Sequence, residues 1–564
     1  MATTIFRTSS IAKAVTLVVL ATGLSLTSGQ AEAKKKDVPV KSDEERVAAL
    51  VELGKEVFFT PISRPKAKQS CASCHDPATG WTGASSNINL VEVAQPGANI
   101  HRDPDARGQL KPPTNAYATF IPPFALATGP GAAFVPAFGG AFWNGRSEGS
   151  DPLFPEGATV HISLADVVTV GDPNALTLFE QAVEGFLGPV ADQALNPFPN
   201  PVEQNIREKS VCQQVKKADY ANLFTDAWGS RIQCDQNNYS TSFKRIAVAL
   251  AAYQDSPEVN SFSSKRDNAL RAELACLTEG DIKLLPWAQN LTDAEFDDIV
   301  SRFGLVPNDP SLCQADNSPG AFPLAGLTPE ENWGHDLFYA AAVLFNPAQP
   351  KPILAGDIGT CDADGNSFPG GVVLTEDRMG AGCALCHSNN PGGDDGTEPL
   401  QTYADHGYHN IGSPVNFDIP GVVASDDGLA DHTGNDGHKG FVKSPSLRNV
   451  DLRPSADFIK AYTRNGWFKS LEGLVHFYNT SLVDPSDFVA GPPPVIKHDV
   501  LRCMDGEITE QEALDSNCWP EPGHADGVSF AAGITGNLGL SACDEAAIVS
   551  YLKTFNDEAV VVVP

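Results

Sequence analysis

Cys71-Ala72-Ser73-Cys74-His75 and Cys383-Ala384-Leu385-Cys386-His387 are two copies of one pentad, Cys-x-x-Cys-His, and their reading decides the fold. Two cysteines on one helical turn can each form a thioether to a vinyl group of a porphyrin. The adjacent histidine then falls beneath the iron as its fifth ligand. A thioredoxin-like redox pair has no need of the trailing histidine, and a zinc site normally brings a second close pair of ligands. With 12 cysteines and 12 histidines among 564 residues, two such pentads lie far outside chance. The spacing predicts two covalently attached c-type haems.

Covalent haem of this type implies export, and the N-terminus agrees. Arg7 and Lys13 precede an apolar run, 14–26, and Ala31-Glu32-Ala33 closes the segment with small residues. Residues 1–33 therefore read as a cleaved signal peptide. The run is too short, and too rich in Thr, Gly and Ser, to span a bilayer comfortably, and no later stretch reads as transmembrane. The expected compartment is the periplasm, or else the cell surface or medium. Cys212, Cys234, Cys276, Cys313, Cys361, Cys503, Cys518 and Cys543 form an even set outside the pentads, as disulfides in an exported chain would. Pairing by proximity gives Cys212 with Cys234, Cys276 with Cys313 and Cys503 with Cys518, leaving Cys361 for Cys543. A formal charge of −31 argues against nucleic acid and anionic membranes as partners. It suits a basic protein partner such as a small electron-transfer protein, and equally serves plain solubility.

The chain reads as two related halves. In 42–59, Ser42 and Glu45 make a capping box, and Val47, Leu50, Val51, Leu53, Val57 and Phe58 recur at helical spacing. Before the second pentad, Thr328-Pro329-Glu330-Glu331 starts a helix with Pro at its first position. There, Gly334-His335-Asp336-Leu337-Phe338-Tyr339 echoes Gly54-Lys55-Glu56-Val57-Phe58-Phe59. The echo suggests internal duplication. Each half also closes on a helix, 243–256 and 541–556, expected to cross the leading helix where Gly54 and Gly334 permit close approach. The expected organisation is a first haem domain at 34–256, a polar connector at 257–327 and a second haem domain at 328–564. Stretches 147–188, 340–377 and 484–533 read as insertions. In the second, Asp362, Asp364 and Asn366 imitate an EF-hand start, but Ser367 and Val373 occupy the positions needing Gly and Glu, so an acidic turn is the better reading.

The sixth iron ligands decide between electron carriage and catalysis. High-potential electron-transfer haems usually take Met. The only methionines are Met1, Met379 and Met504. Met379 is too close to its own pentad to reach the opposite haem face, and Met504 lies in an insertion. A His/Met pair is not expected.

Several ordered motifs then converge. They are Phe142-Trp143-Asn144-Gly145-Arg146, Gln193-Ala194 with Asn200-Pro201-Val202-Glu203, and His409-Asn410-Ile411-Gly412. Ser444-Pro445-Ser446-Leu447-Arg448-Asn449-Val450 and the span from Asn465-Gly466 to His476-Phe477-Tyr478-Asn479 follow. With them the chain resembles the di-haem cytochrome c peroxidase/MauG family over nearly all of its mature length. The resemblance implies a mainly α-helical protein of two cytochrome-c-like domains facing each other across Trp143, which would relay electrons. It makes the His75 haem the peroxide-reacting one, with Glu203 as distal acid-base group and Gln193 as distal glutamine. A carboxylate above an open iron can take a proton from bound H2O2 and return it to the leaving oxygen. His101 matches a histidine that occupies the sixth site of that haem in resting peroxidases, and as a residue of a polar loop it reads equally well as a bystander. On the second haem, Tyr478 stands where the peroxidase branch carries Met, and MauG-like proteins place Tyr there; His476 and His409 are the other candidates. The resemblance also implies Ca2+ held near the carbonyls of Lys443 and Pro445, with Gln109 where the family has Asn.

The expected activity is H2O2-dependent oxidation, with electrons from a small donor protein (cytochrome c or cupredoxin) or from an oxidisable substrate. MauG-like oxidation of a protein or organic substrate, a di-haem oxygenase and a non-catalytic electron carrier are the rival readings. Oligomeric state is not legible in the sequence.

Overall fold

The computed structural model describes residues 41–63, 69–86, 108–315, 318–339, 380–391, 393–482, 500–525 and 535–558. The expected signal peptide, His101, Met379, Cys361 and the EF-hand-like turn at 362–366 lie outside the described residues.

The leading helix of the first half, Asp43–Phe59, is capped as its sequence dictates. Ser42 Oγ accepts from the Glu45 amide and Glu45 returns the bond to the Ser42 amide. Its buried face, Leu50, Leu53, Val57 and Phe58, lies against the closing helix Tyr239–Gln254. A Cβ on Gly54 would overlap the Ala249 carbonyl oxygen and meet Tyr253 Cβ, so only glycine lets the two backbones touch. The second half repeats this packing. Pro329–Tyr339 crosses Ala542–Lys553, and a Cβ on Gly334 would overlap the Ala547 carbonyl and meet Tyr551 Cβ. Thr328 with Glu331 and Ser541 with Asp544 cap these helices.

Sheet structure is confined to short pairs among the described residues. Ala125–Leu126 pairs antiparallel with Ala137–Phe138, Tyr408–His409 antiparallel with Val442–Lys443, and Leu501–Arg502 parallel with Cys518–Trp519. No described helix is long and apolar enough to cross a membrane.

Three expectations change in detail. The first closing helix starts at Tyr239 rather than 243, because the Asp235 side chain and carbonyl organise the preceding turn through Asn237, Asn238 and Tyr239. The connector is more than a polar link: it folds into helices Lys265–Leu274, Glu279–Ile282 and Asp293–Phe303, and buries Leu270, Leu274, Ile282, Phe296 and Phe303. Stretch 147–188 is built into the first half, with Ile162, Phe179 and Val183 fully buried and Arg46 lying 3.6 Å over the Phe179 ring.

Three of the disulfides paired by proximity are present: Cys212–Cys234, Cys276–Cys313 and Cys503–Cys518. Cys543 is also disulfide-bonded.

The second half meets the connector and the first half through polar groups that are sealed from water. Arg448 donates to both carboxylate oxygens of Asp267 and, through Nε, to the Gln401 carbonyl at 2.6 Å. Tyr117 donates its hydroxyl to Asp557, which also accepts from Asn449 Nδ2 at 2.9 Å. Each partner is buried, so every bond here satisfies a group that water cannot reach.

Candidate active site

Both pentads fold as a short 3₁₀ turn, Cys71–Ser73 and Cys383–Leu385. The turn closes when the histidine amide donates to the first cysteine's carbonyl, at 3.0 Å for His75 and 2.9 Å for His387. Cys71, Cys74, Cys383 and Cys386 are not in disulfides. A single turn therefore presents two thiols and an imidazole together, as haem attachment requires.

The histidines carry the test of fit. His75 Nδ1 lies 3.1 Å from the Trp81 carbonyl, and His387 Nδ1 lies 3.2 Å from the Tyr403 carbonyl. A carbonyl only accepts, so Nδ1 carries the proton in both rings and Nε2 keeps its lone pair for a metal. Burial pushes both imidazoles down to about 4, so each is neutral at physiological pH, as a ligand must be. Trp81 and Tyr403 both have left-handed backbones, φ 61° and 55°, a sparsely populated conformation for bulky residues. That twist turns each carbonyl to its histidine. The residues present fit two covalent haems.

Glu203 lies near the first pentad. Its carboxylate is among the groups that raise the Cys71 thiol to about 12, after burial and Cys74, which places it within electrostatic reach of the attachment site. Asn200 Nδ2 donates to Glu203 Oε1 at 2.5 Å. Burial raises the Glu203 carboxyl above its ordinary value, opposed by the Arg146 guanidinium and the Asn200 bond. Gln193 ends the helix Pro189–Gln193, and its carbonyl accepts from Asn196 at the start of the turns that lead to Glu203. No hydrogen bond joins the Gln193 and Glu203 side chains among the described residues.

Trp143 sits at the junction of the halves. Its Nε1 donates to the Lys111 carbonyl at 2.8 Å, while its own carbonyl accepts from the Lys443 amide at 3.1 Å. Phe142, at φ 64°, and Gly145, at φ 81°, bend the chain around it. A Cβ on Gly145 would strike the Tyr408 hydroxyl and the Phe124 ring. Arg146 folds back over the Phe142 ring at 3.6 Å.

Tyr478 addresses the second pentad. Burial raises its phenol well above the ordinary value, and the Cys386 and Cys383 thiols add to the shift. Its hydroxyl has no hydrogen-bond partner among the described residues, which leaves it available to a metal. The other two candidates are committed elsewhere. His409 holds Asp405 through Nε2 at 2.9 Å and faces Cys386 Sγ through Nδ1 at 3.6 Å. His476 Nδ1 pairs with Glu545 at 2.9 Å on a partly exposed helix face.

The residues implied for calcium are dispersed in their chemistry. Gln109 is exposed, the Lys443 ammonium donates to the Gly140 carbonyl at 2.6 Å, and the Pro445 carbonyl faces the His387 ring. Among the described residues no three His, Cys, Asp or Glu side chains cluster to hold a metal ion.

Sequence reasoning quoted Arg146 and Asn200 inside motifs without giving them a task, and it passed over Trp81 and Tyr403. Arg146 had one signal: it is the first charged residue after Lys111, at the end of a long uncharged run. Trp81 and Tyr403 had none, because they follow their histidines at unequal spacings.

Comparison with known proteins accords with this geometry. Residues 48–275 match the family model described as di-haem cytochrome c peroxidase. The methylamine utilization protein MauG of Paracoccus denitrificans (strain Pd 1222) is 24% identical over 440 residues, covering 76% of this chain and 74% of that protein. The crystal structure of the diheme peroxidase BthA from Burkholderia thailandensis E264 superposes with a TM-score of 0.51 at 19% identity, over 91% of this chain and 88% of that one. A variant of the same protein gives 0.50 at 19% identity, over 92% and 88%. At that identity the structural likeness speaks for the fold. Two haem attachment turns, a helical frame shared with diheme peroxidases and a di-haem cytochrome c peroxidase family match over residues 48–275 together make this chain an oxidoreductase similar to the di-haem cytochrome c peroxidases and MauG.

Proposed function

We propose that this chain is an exported di-haem peroxidase that reduces H2O2 at the His75 site, with electrons relayed through the His387 site from a small donor protein or an oxidisable substrate. The observation that carries this reading is the Glu203 carboxylate, fixed by Asn200 within electrostatic reach of the first attachment turn. Bound haem would supply an open coordination position for peroxide and a store for the electrons that cleave it. Glu203 takes the proton from the near peroxide oxygen and delivers it to the far one, so the leaving group departs as water rather than hydroxide. Arg146 faces the carboxylate and favours its charged form, the form that acts as base. Because burial raises the Glu203 carboxyl, the acid limb of the pH–rate profile belongs above the ordinary carboxylate range. Glu203→Gln should lower peroxide turnover by about 10²–10⁴-fold with both haems still attached. Unchanged turnover in that variant removes the assignment.

A second reading is favoured by Tyr478. A Tyr478 phenolate holding the second iron would stabilise its oxidised states, which would suit MauG-like oxidation of a protein or organic substrate better than routine acceptance of electrons from a donor. Export is supported by the N-terminal segment 1–33 and by the disulfides. Steady-state consumption of peroxide with a reduced cytochrome or cupredoxin separates the two readings: fast donor oxidation supports the first, and its absence supports the second.

A further inference from the structure

Asn200 spends every polar group it has on the turn that carries Glu203. Its amide donates to the Asn196 carbonyl at 3.3 Å, and its carbonyl accepts from the amides of Glu203 at 3.1 Å and Asn205 at 3.0 Å. Its side-chain Oδ1 accepts from the Val202 amide at 3.1 Å, which closes an Asx turn. That leaves Nδ2, which donates to Glu203 Oε1 at 2.5 Å. The other carboxylate oxygen, Oε2, has no hydrogen-bond partner among the described residues. The charged or titratable groups that face the carboxylate from neighbouring elements are Arg146, from the Trp143 turn, and Cys71, from the pentad. Arg146 is itself held over the Phe142 ring. A glutamate gives up rotamer freedom when it is fixed, so one oxygen tied down and the other left open is an arrangement that needs a fixed partner.

We propose that Asn200 is a positioning residue for peroxide reduction: by holding Glu203 Oε1 it makes Oε2 the atom that moves the proton. The inference rests on the role proposed above for Glu203. In the reaction the O–O bond breaks and Glu203 carries the near oxygen's proton to the far oxygen, which leaves as water. Two electrons from the donor and two protons from solvent convert the near oxygen to the second water, and Glu203 ends as it began. A purely structural Asn200 would serve the turn alone.

Two substitutions in the holoprotein separate these roles. Asn200→Asp keeps Oδ1 for Val202 and replaces the donor with a like charge. Asn200→Ser keeps a turn-forming acceptor and is too short to reach Glu203. The inference expects kcat/KM for H2O2 to fall about tenfold in Asn200→Ser and further in Asn200→Asp, the loss of part of a general acid–base contribution. In Asn200→Asp the acid limb should also move to higher pH, because two carboxylates then share one site. Combining Asn200→Ser with Glu203→Gln should cost no more than Glu203→Gln alone, since both act through one group. Haem spectra and thermal midpoints report whether each variant is folded and loaded. Wild-type kcat/KM in both folded Asn200 variants, or additive losses in the double variant, would overturn the inference while leaving Glu203 catalytic. Undiminished turnover in Glu203→Gln would overturn both.

Discussion

The carbonyl of Trp143 accepts the backbone N–H of Lys443 at 3.1 Å, so the peptide that carries the inter-site indole hangs from the second half of the chain. The indole itself donates to Lys111 in the first half. Lys111 and Lys443 begin matching stretches, Lys111-Pro112-Pro113-Thr114 and Lys443-Ser444-Pro445-Ser446, and each stretch passes its histidine. Trp143 is thus clamped between equivalent segments of the two halves.

In the proposed function, Trp143 is the route that electrons take between the two sites. Trp143→Phe keeps the backbone bond to Lys443 and deletes the bond to Lys111. Both haems should remain attached, while peroxide turnover falls by about tenfold, the effect of a barrier raised by roughly 1.4 kcal/mol. Stopped-flow measurement of electron arrival at the first haem checks this; an unchanged rate places the route elsewhere.

In the proposed function Tyr478 is the ligand of the second iron; His409 and His476 are held by Asp405 and Glu545. Tyr478→Phe should change the visible and EPR spectrum of one haem only. His476→Ala should leave both spectra unchanged. A spectral change in His476→Ala with none in Tyr478→Phe would reverse the assignment.

The glycine contacts make a stability prediction. Gly54→Ala and Gly334→Ala each place a methyl group on a backbone carbonyl, which cannot move without shifting its helix. Each should destabilise by about 1–3 kcal/mol or more through forced separation of the leading and closing helices. Urea denaturation of the holoprotein measures the cost. A loss limited to one of the two positions would show that the halves are not packed alike.

Asp267 sets an acid limit on stability. Burial works against its charge, but Arg448 and Arg266 outweigh burial and hold the carboxyl at about 2 against an ordinary 3.8. A depressed carboxylate contributes stability that is fully present above the unfolded value and is lost as pH falls from there toward the folded value. The denaturation midpoint should therefore decline between about pH 4 and pH 2. Asp267→Asn, which strands two buried guanidinium groups, should cost about 3–5 kcal/mol at neutral pH and flatten that decline. An unaltered acid slope in the variant would assign it to other carboxylates.

Much of the frame was legible because it rests on local rules. Capping boxes at Ser42 and Ser541, Pro329 at a helix start and the glycines at crossing points are short-range signals, and each folds as written. The pentads were legible for the same reason. The partners of the pentad histidines were not, since a backbone carbonyl leaves no residue-type signature and Trp81 and Tyr403 follow at different intervals. The connector was misread as merely polar because its charged residues Arg266 and Asp267 are buried, satisfied by Arg448 and by carbonyls far along the chain. Such long-range pairing is invisible to composition. Asn200 escaped because an Asn-Pro pair already reads as a turn, and its second task depends on where the Glu203 side chain comes to rest.

The central claim is that the two haem sites are unequal and that peroxide reacts at the one near Glu203. EPR of the ferric holoprotein during titration with H2O2 tests it most directly. The account predicts two distinguishable haem signals, only one of them altered by Tyr478→Phe, and a response to stoichiometric peroxide that Glu203→Gln slows. Two equivalent low-spin signals, indifferent to peroxide, would contradict it and return the chain to the class of electron carriers.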